Sequence, residues 1–471
     1  MSATKLAQLH AALTIIATAL AIFALTYTFA DIRPFVIASA TFLTAYAVLS
    51  AAFPGSNGIE CKAFTLAFSF GWAATGVSSL FLHELNDWHQ QSRDAGHFYR
   101  LATAQNLNLN LPGIARLTEG SLAVLCWNKA YALSRELGLG NERYIACALN
   151  TVMVSLASVV SVRIAVIANL STTQQLRLSL ACGCCGLFWA FQGLLLRDGY
   201  ILLAVSLLSY SWCKFLSNPP SFSGAIILAL ANSVASIVLK YLRDEFAFVP
   251  FAMALAAGTA VLLTHHTRNR SGAATSIYIS LALLLLASAV ATVAGVSPSS
   301  AKDKLKRGNE SYGEHALQTA KKDSLGAALI VAQPLPLRIT LGSVYLLVFP
   351  VPAWSGLLMG SAYHLFKSAN VILFYIVIPF AIASLYQSFG PLRERNTTLL
   401  FCVATFTLFL TATAATSLET RHIAPFFPLL FVYASSAYIE QQQVRRVYDA
   451  ARRAFLCGVL TVHSLYALLR L

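Results

Sequence analysis

The sequence predicts an all-α polytopic membrane protein with about twelve transmembrane helices (11–13), and three observations carry that prediction. Apolar residues make up 57% of the 471 and charged residues only 11%. The apolar residues come in runs close to the ~20 positions a helix needs to cross a bilayer. The charged residues collect between those runs and seldom inside them, which a water-soluble core of this size does not do. The 33 Lys and Arg against 19 Asp and Glu give a net charge of +14. In a chain of this kind that excess fits membrane topology and anionic lipid headgroups, so no nucleic acid partner is expected.

Taken in order, the expected spans cover residues 9–30, 34–54, 63–83, 144–168, 177–195, 199–217, 222–240, 246–264, 275–295, 369–388, 397–417 and 423–440. Lys5 precedes the first, which lacks the small-residue cleavage pattern of a signal peptide and is read as retained. Residues 338–349 are apolar for only about a dozen positions and end in Phe349-Pro350-Val351-Pro352-Ala353-Trp354, which suits a re-entrant or interfacial element better than a crossing. Residues 454–471 fit either a thirteenth helix or an amphipathic helix on the membrane surface. Two long polar regions interrupt the single integral membrane domain 1–471. The first covers 84–143 and the second 296–354, whose basic part up to residue 337 reads equally as a flap at the headgroups or a solvated linker.

Short loops set the orientation. With the N-terminus cytoplasmic, Lys5, Lys62, Arg177, Lys214, Arg268, Arg270, Arg393, Arg395, Arg445, Arg446, Arg452 and Arg453 fall on the cytoplasmic side. Both long polar regions then fall on the opposite face, together with Asp87, Asp94, Arg100, Arg197, Asp198, Arg243, Asp244, Glu245, Arg338, Arg421 and His422. Any one of these alone is best explained as an interfacial anchor. Their common face is what points to a site. Arg163 lies within the fourth span near its cytoplasmic end, where it is expected to snorkel outward.

The nine cysteines include Cys182, Cys184 and Cys185 within an apolar segment, and no Cys-x-x-Cys pair occurs. They read as packing residues, and no metal-ligand set is visible. Walker A and dinucleotide fingerprints are absent too, so no cofactor is expected and an ATP-driven pump is disfavoured. The run Gly186-Leu187-Phe188-Trp189-Ala190-Phe191-Gln192-Gly193-Leu194-Leu195-Leu196-Arg197-Asp198-Gly199-Tyr200 joins two apolar segments through an Arg-Asp pair. That pair either closes a helical hairpin or presents a guanidinium fork to phosphate oxygens.

Four stretches together resemble bacterial O-antigen and exopolysaccharide repeat-unit polymerases and related GT-C-like membrane glycosyltransferases. They are the Leu-Leu-Arg-Asp run above, Ser92 to Ala102 with Asp94-Ala95 and Phe98-Tyr99, Pro336 to Trp354, and Arg421-His422-Ile423-Ala424-Pro425-Phe426-Phe427-Pro428. His422 stands where that family has an aromatic such as Tyr. The resemblance implies a GT-C-like fold that joins undecaprenyl-pyrophosphate-linked oligosaccharides at the periplasmic face of a bacterial inner membrane. A chain-length regulator is a further partner it implies. Arg197, Arg421, Arg338, Arg243 and Arg100 would then bind the pyrophosphate substrate with Asp198 orienting, and the base would come from Asp94, Asp87 or His422, the imidazole having an ordinary pKa suited to that task. Aromatics Trp88, Phe98, Tyr99 and Trp354 are read by default as an interfacial belt. A GT-C transferase using a polyprenyl-phosphate sugar donor is one alternative. A secondary transporter or flippase of glycan or lipid is another, though such proteins hold polar groups at the membrane midplane in broken helices.

Overall fold

The computed structural model describes residues 2–52, 58–85, 93–104, 121–218, 222–265, 329–349, 353–390 and 396–470. Asp87, Trp88, Arg268, Arg270, Arg393, Arg395, the expected span 275–295 and most of the second polar region lie outside them. Every regular element among the described residues is a helix. They are α1 (Ala3–Phe29), α2 (Arg33–Ala52), α3 (Gly58–Leu85), α4 (Arg93–Thr103), α5 (Ser121–Glu136), α6 (Arg143–Ile167), α7 (Thr172–Gly183), α8 (Gly186–Gly193), α9 (Asp198–Ser217), α10 (Phe222–Leu242), α11 (Val249–His265), α12 (Leu335–Val348), α13 (Ser355–Leu358), α14 (Ala362–Phe389), α15 (Thr397–Thr416), α16 (Thr420–Ile423), α17 (Phe427–Ser435) and α18 (Gln442–Arg470), with 3-10 turns at Asp244–Phe248 and Ala424–Phe426. Nine helical segments among the described residues are long and apolar enough to cross a membrane: α1, α2, α3, α6, α9, α10, α11 with the turn before it, α14 and α15. This is a polytopic helical membrane protein.

Helix α6 is the hub, with 78% of its apolar window buried against 17% for α2 at the flank. It packs on α2, α3, α5, α7, α8, α9 and α17. Small residues make that crowding possible, among them Ala146, Ala148, Ala157 and Ala165. Its buried serines need no outside partner, because Ser155, Ser158 and Ser161 donate to the carbonyls four residues back at 2.7–3.1 Å. Arg163 does not snorkel as expected. Its Nε lies 2.6 Å from Oε1 of Glu60, whose side chain is 1% exposed, so α6 and α3 are joined by a buried ion pair near the end of α6. Such a charge is stable inside a bundle only when paired.

Two expected spans, 177–195 and 423–440, are not continuous helices. In the first, α7 and α8 are separated at Cys184-Cys185, where Cys185 is extended (φ −74°, ψ 111°). Glycines flank this break because the backbone is pressed against neighbours. A Cβ at Gly183 would lie 2.4 Å from Leu66 Cδ2, and one at Gly186 would lie 2.0 Å from the Phe366 carbonyl oxygen on α14. In the second, Pro425 and Pro428 withhold two amide donors, and the chain passes through α16 and a 3-10 turn before α17. The two broken segments lie side by side and antiparallel. Gln174 donates to the Ser436 carbonyl (2.7 Å) at one end, Phe188 meets Phe431 edge-on, and the Arg197 and Arg421 regions converge at the other.

Helix α12 begins with Arg338 against Thr416 at the end of α15 and finishes with Phe349 beside Lys367 in the second turn of α14, so both its ends are at the Arg421 face. Helix α18 runs antiparallel along α14, with Tyr448 on Phe380, Phe455 on Tyr375, and His463 accepting from the Ala353 amide. It therefore follows the direction of the spans over this length.

Candidate functional site

The site is set by how helix α8 ends. Leu194 is extended (φ −112°, ψ 150°), so the carbonyls of residues 191–196 lose their intrahelical donors in a buried place. Two side chains on α6, two turns apart, collect them. Asn150 Nδ2 donates to Phe191 O, Leu194 O and Leu196 O at 2.9, 3.2 and 3.1 Å. Arg143 donates to Gly193 O at 2.7 Å, where the Ser78 hydroxyl also donates at 2.5 Å. Trp127 on α5 holds the Asn150 amide oxygen at 2.9 Å. This cage fixes the unwound turn and so the placement of Arg197 and Asp198 at the start of α9. A carboxylate in the first turn of a helix is favoured there by the helix dipole.

Asp94 arrives from the first polar region. Ala95, Phe98 and Ala102 form the buried face of α4 at i, i+3 and i+7, and that face docks on α5. Phe98 packs on Trp127, which packs on Tyr200, while Tyr99 packs on Tyr131 and donates to Asn141 O at 2.9 Å. Phe98 and Tyr99 thus pack inside the protein and do not form an interfacial belt. Asn128 donates to the Ala102 carbonyl near the end of α4 and to the Ala104 carbonyl just beyond it. The docking leaves Asp94 pointing inward, half exposed, with its Oδ2 2.6 Å from Arg421.

Arg421 and His422 are placed by a sharp end to α15. Leu418 takes a left-handed conformation (φ 50°), which a leucine adopts only at a cost of about 1–3 kcal/mol. The chain is thereby turned into α16. Arg243 sits between α10 and the next 3-10 turn, its side chain 5% exposed. It lies 3.5 Å from Asp198, 3.5 Å from Glu245, and 2.8 Å from His422 Nε2. A guanidinium can only donate, so Nε2 of His422 accepts and Nδ1 carries the hydrogen toward Ser417 Oγ at 2.8 Å. Arg197 lies over the Phe98 ring at 5.6 Å, close enough for its field to act on both Asp94 and His422.

The structure therefore gathers Asp94, Arg197, Asp198, Arg243, Arg421 and His422 at one end of the bundle. Arg338 stands at its edge, spending a donor on the Thr416 carbonyl at 2.8 Å as a C-terminal cap of α15. Arg100 is exposed on another side of α4 and is not part of the cluster. Asp87 lies outside the described residues. Three residues join that sequence reasoning passed over: Glu419 accepts from Tyr363 (2.9 Å) and pairs with Lys367 (3.3 Å). The signal for Lys367 was available, since a lysine early in a long apolar helix needs a reason to be there. Cations Arg197, Arg243, Arg421 and Lys367 are matched by carboxylates Asp94, Asp198, Glu245 and Glu419.

These charges set one another's protonation. Burial alone would raise Asp94, but Arg421, then Arg197 and Arg243, hold its carboxyl below the usual range. Burial likewise works against ionised Glu419, and Lys367 and Arg421 overcome it to bring the carboxyl to about 2. For His422, burial and then Arg243 and Arg421 act in the same direction and push it well below the ordinary 6.5. The expectation of a histidine base with an ordinary pKa is thus corrected. His422 is neutral, and its one lone pair is occupied by Arg243.

A pH dependence of stability follows. His422 stays neutral in the fold but titrates near 6.5 when unfolded, so its contribution is present above that value and is lost as pH falls below it. Glu419 titrates near 4.5 unfolded and about 2 folded, so its contribution is complete above 4.5 and disappears as pH falls toward 2. The thermal midpoint of the purified protein is expected to decline in two stages on acidification. Replacing His422 by Gln should remove the upper stage, and an unchanged profile in that variant would refute the assignment.

Among the described residues no group of three or more His, Cys, Asp or Glu is arranged to hold a metal ion. The fold and the site define a polytopic helical membrane protein with a cluster of paired charges at one end of its spans. No family model matches the chain, and no curated protein matches it.

Proposed function

We propose that the protein is a membrane glycosyltransferase of the polysaccharide-polymerase type, with a GT-C-like fold, joining undecaprenyl-pyrophosphate-linked oligosaccharides at the periplasmic face of a bacterial inner membrane. The observation that carries this reading is the meeting of Arg197, Arg243, Arg421 and Lys367 with the half-exposed Asp94 at one end of the bundle. A sugar hydroxyl of one repeat unit attacks the anomeric carbon of the other. The bond from that carbon to the pyrophosphate oxygen breaks, and the pyrophosphate leaves with the electron pair. The arginines stabilise the growing charge, and Asp94 takes the hydroxyl proton because it is ionised and accessible while His422 has no free lone pair.

Orientation follows the same proposal, with the N-terminus cytoplasmic and the Arg421 face periplasmic. Cysteine labelling is expected to reach Gly96→Cys from outside and Arg445→Cys only from inside. A second reading, a flippase or secondary transporter of lipid-linked glycan, is favoured by the two discontinuous segments α7–α8 and α16–α17, since broken helices are a transporter device. Purified protein supplied with lipid-linked repeat units in vesicles separates the readings. A ladder of lengthened products supports the polymerase, a single added sugar from a polyprenyl-phosphate donor supports the GT-C alternative, and transbilayer movement without a new glycosidic bond supports the flippase.

A further inference from the structure

Helix α18 carries exposed arginines and exposed apolar side chains on one continuous stripe. Counted from Asp449, Arg452 and Arg453 stand three and four residues on, Leu456 seven, Leu460 eleven and His463 fourteen, while Arg446 and Arg445 stand three and four residues before it. At helical spacing all of these share one side of the helix. The neighbouring side, with Val444, Tyr448 and Phe455, packs on α14. The stripe itself is left open: the four arginines are exposed, and Leu456 and Leu460 are 44% and 65% exposed.

Charge collects at one end of the stripe. Arg445 Nε lies 3.9 Å from Asp449, and Arg453 Nε donates to the Asp449 carbonyl at 3.2 Å, so this carboxylate is set among the arginines. Arg177 joins them from α7, lying over the Phe380 ring on which Tyr448 packs, and Glu440 is close enough to act on it. Among the described residues of this corner the cations Arg177, Arg445, Arg446, Arg452 and Arg453 therefore face only the carboxylates Asp449 and Glu440. The other end of the stripe runs into a groove of about 570 Å³, walled by Val459 and Leu460 and by Leu365, Ala369 and Ile372 of α14. His463 adds no polar group to it, because Nε2 accepts from the Ala353 amide at 3.0 Å and Nδ1 donates to the Val459 carbonyl at 2.7 Å.

We propose that α18 holds an anionic diacyl phospholipid of the leaflet opposite the Arg421 face, with its phosphate among Arg445, Arg446, Arg452 and Arg453 and one acyl chain laid past Leu456 into the groove. Phe380 stands thirteen residues beyond Lys367 on α14, or ~20 Å, which puts the arginines at the far end from the charge cluster. The excess of positive charge there is what a bilayer surface rich in anionic headgroups complements. From Arg453 to Ser464 the stripe extends ~16 Å, about the ~15 Å of hydrocarbon in one leaflet, so a chain anchored at the arginines reaches the groove. The second chain lies among the surrounding lipids, where no protein wall is needed. Nothing in this depends on the chemistry at Arg421.

The probe is phosphatidylglycerol with a diazirine midway along one acyl chain, present as a minor component in phosphatidylcholine nanodiscs that hold the full-length protein. After photolysis label is expected on peptides of α18 beyond Leu456 and of the first half of α14. Unlabelled phosphatidylglycerol should displace it, and added phosphatidylcholine should not. Arg452→Gln combined with Arg453→Gln should cut the label about tenfold. The corresponding double lysine variant, which keeps the charge, should label nearly as the parent does, so that loss of charge is told apart from loss of fold. Leu460→Trp fills the groove at an exposed position and should cut label on both helices. Equal labelling by a phosphatidylcholine probe, or full labelling in the double glutamine variant, would overturn the proposal, since the arginines would then only reach up to neutral headgroups. A loss in the lysine pair as deep as in the glutamine pair would overturn recognition by charge. Unchanged label in Leu460→Trp would remove the chain from the groove. Dimeric protein with an unlabelled stripe would give that surface to a second copy and refute the lipid.

Discussion

Arg421→Lys and Arg197→Lys are each expected to slow polymer formation by roughly ten to a hundredfold while the protein still inserts and purifies normally. The number follows from losing one charge-assisted contact to a pyrophosphate, about 1.5–3 kcal/mol, where lysine keeps the charge but not the fork. The structure sharpens the expectation for Arg421. Its guanidinium already engages Asp94 at 2.6 Å and lies within the fields of Asp198 and Glu419. With several donors it can hold Asp94 and still face an anion, and an ammonium cannot spread its donors over the same plane. The initial rate of ladder formation from lipid-linked repeat units is the measurement. Parental rates and product lengths in both variants would make these arginines interfacial anchors and defeat the proposed site.

Asn150→Leu is expected to do comparable damage from within the bundle. The substitution keeps the bulk but takes the Asn150 partner from the Phe191 and Leu196 carbonyls and from the Trp127 indole N–H in a buried place, while the Leu194 carbonyl keeps the Leu196 amide at 2.8 Å. Each unsatisfied group costs about 1–3 kcal/mol, so the thermal midpoint should fall by several degrees. A purely structural role would lower only the folded fraction. A positioning role predicts more: in the folded fraction kcat should drop because the turn leading to Arg197 is released, with Asn150→Asp restoring less than half. Parental kcat per folded molecule in Asn150→Leu would reduce Asn150 to a packing residue.

The membrane class and most spans were legible because hydrocarbon thickness imposes a length on apolar runs, and nine of the expected segments correspond to candidate spans. The two interrupted segments were not legible in the same way. A window that averages hydropathy over residues 177–195 cannot see that Gly183 and Gly186 are pressed onto α3 and α14, and the same averaging over 423–440 hides the two amide donors that Pro425 and Pro428 withhold. For the site, the shared face of Arg197, Asp198, Arg243, Arg421 and His422 came from topology alone. What topology could not give is distance. It did not separate Arg100, which points away, from Asp94, which docks, nor did it reveal that Arg243 occupies the His422 lone pair. Asn150 was invisible because an amide in an apolar span acquires meaning only when the carbonyls facing it are known.

The ion pair between Asp94 and Arg421 also bears on biosynthesis. Its partners are separated by more than three hundred positions, and Arg243 waits for His422 over 179. A nascent chain arrested before residue 420 would carry Asp94, Asp198 and Arg243 to the membrane surface with their late partners still unmade. The charge cluster can close only after α15 has been inserted and α16 has emerged beyond it. Long-range closure of this kind is slow and comes late in folding. The nascent polypeptide is therefore silent until residues 420–422 have been delivered, and a chain released before them is an inserted but unfinished bundle, a substrate for membrane quality control.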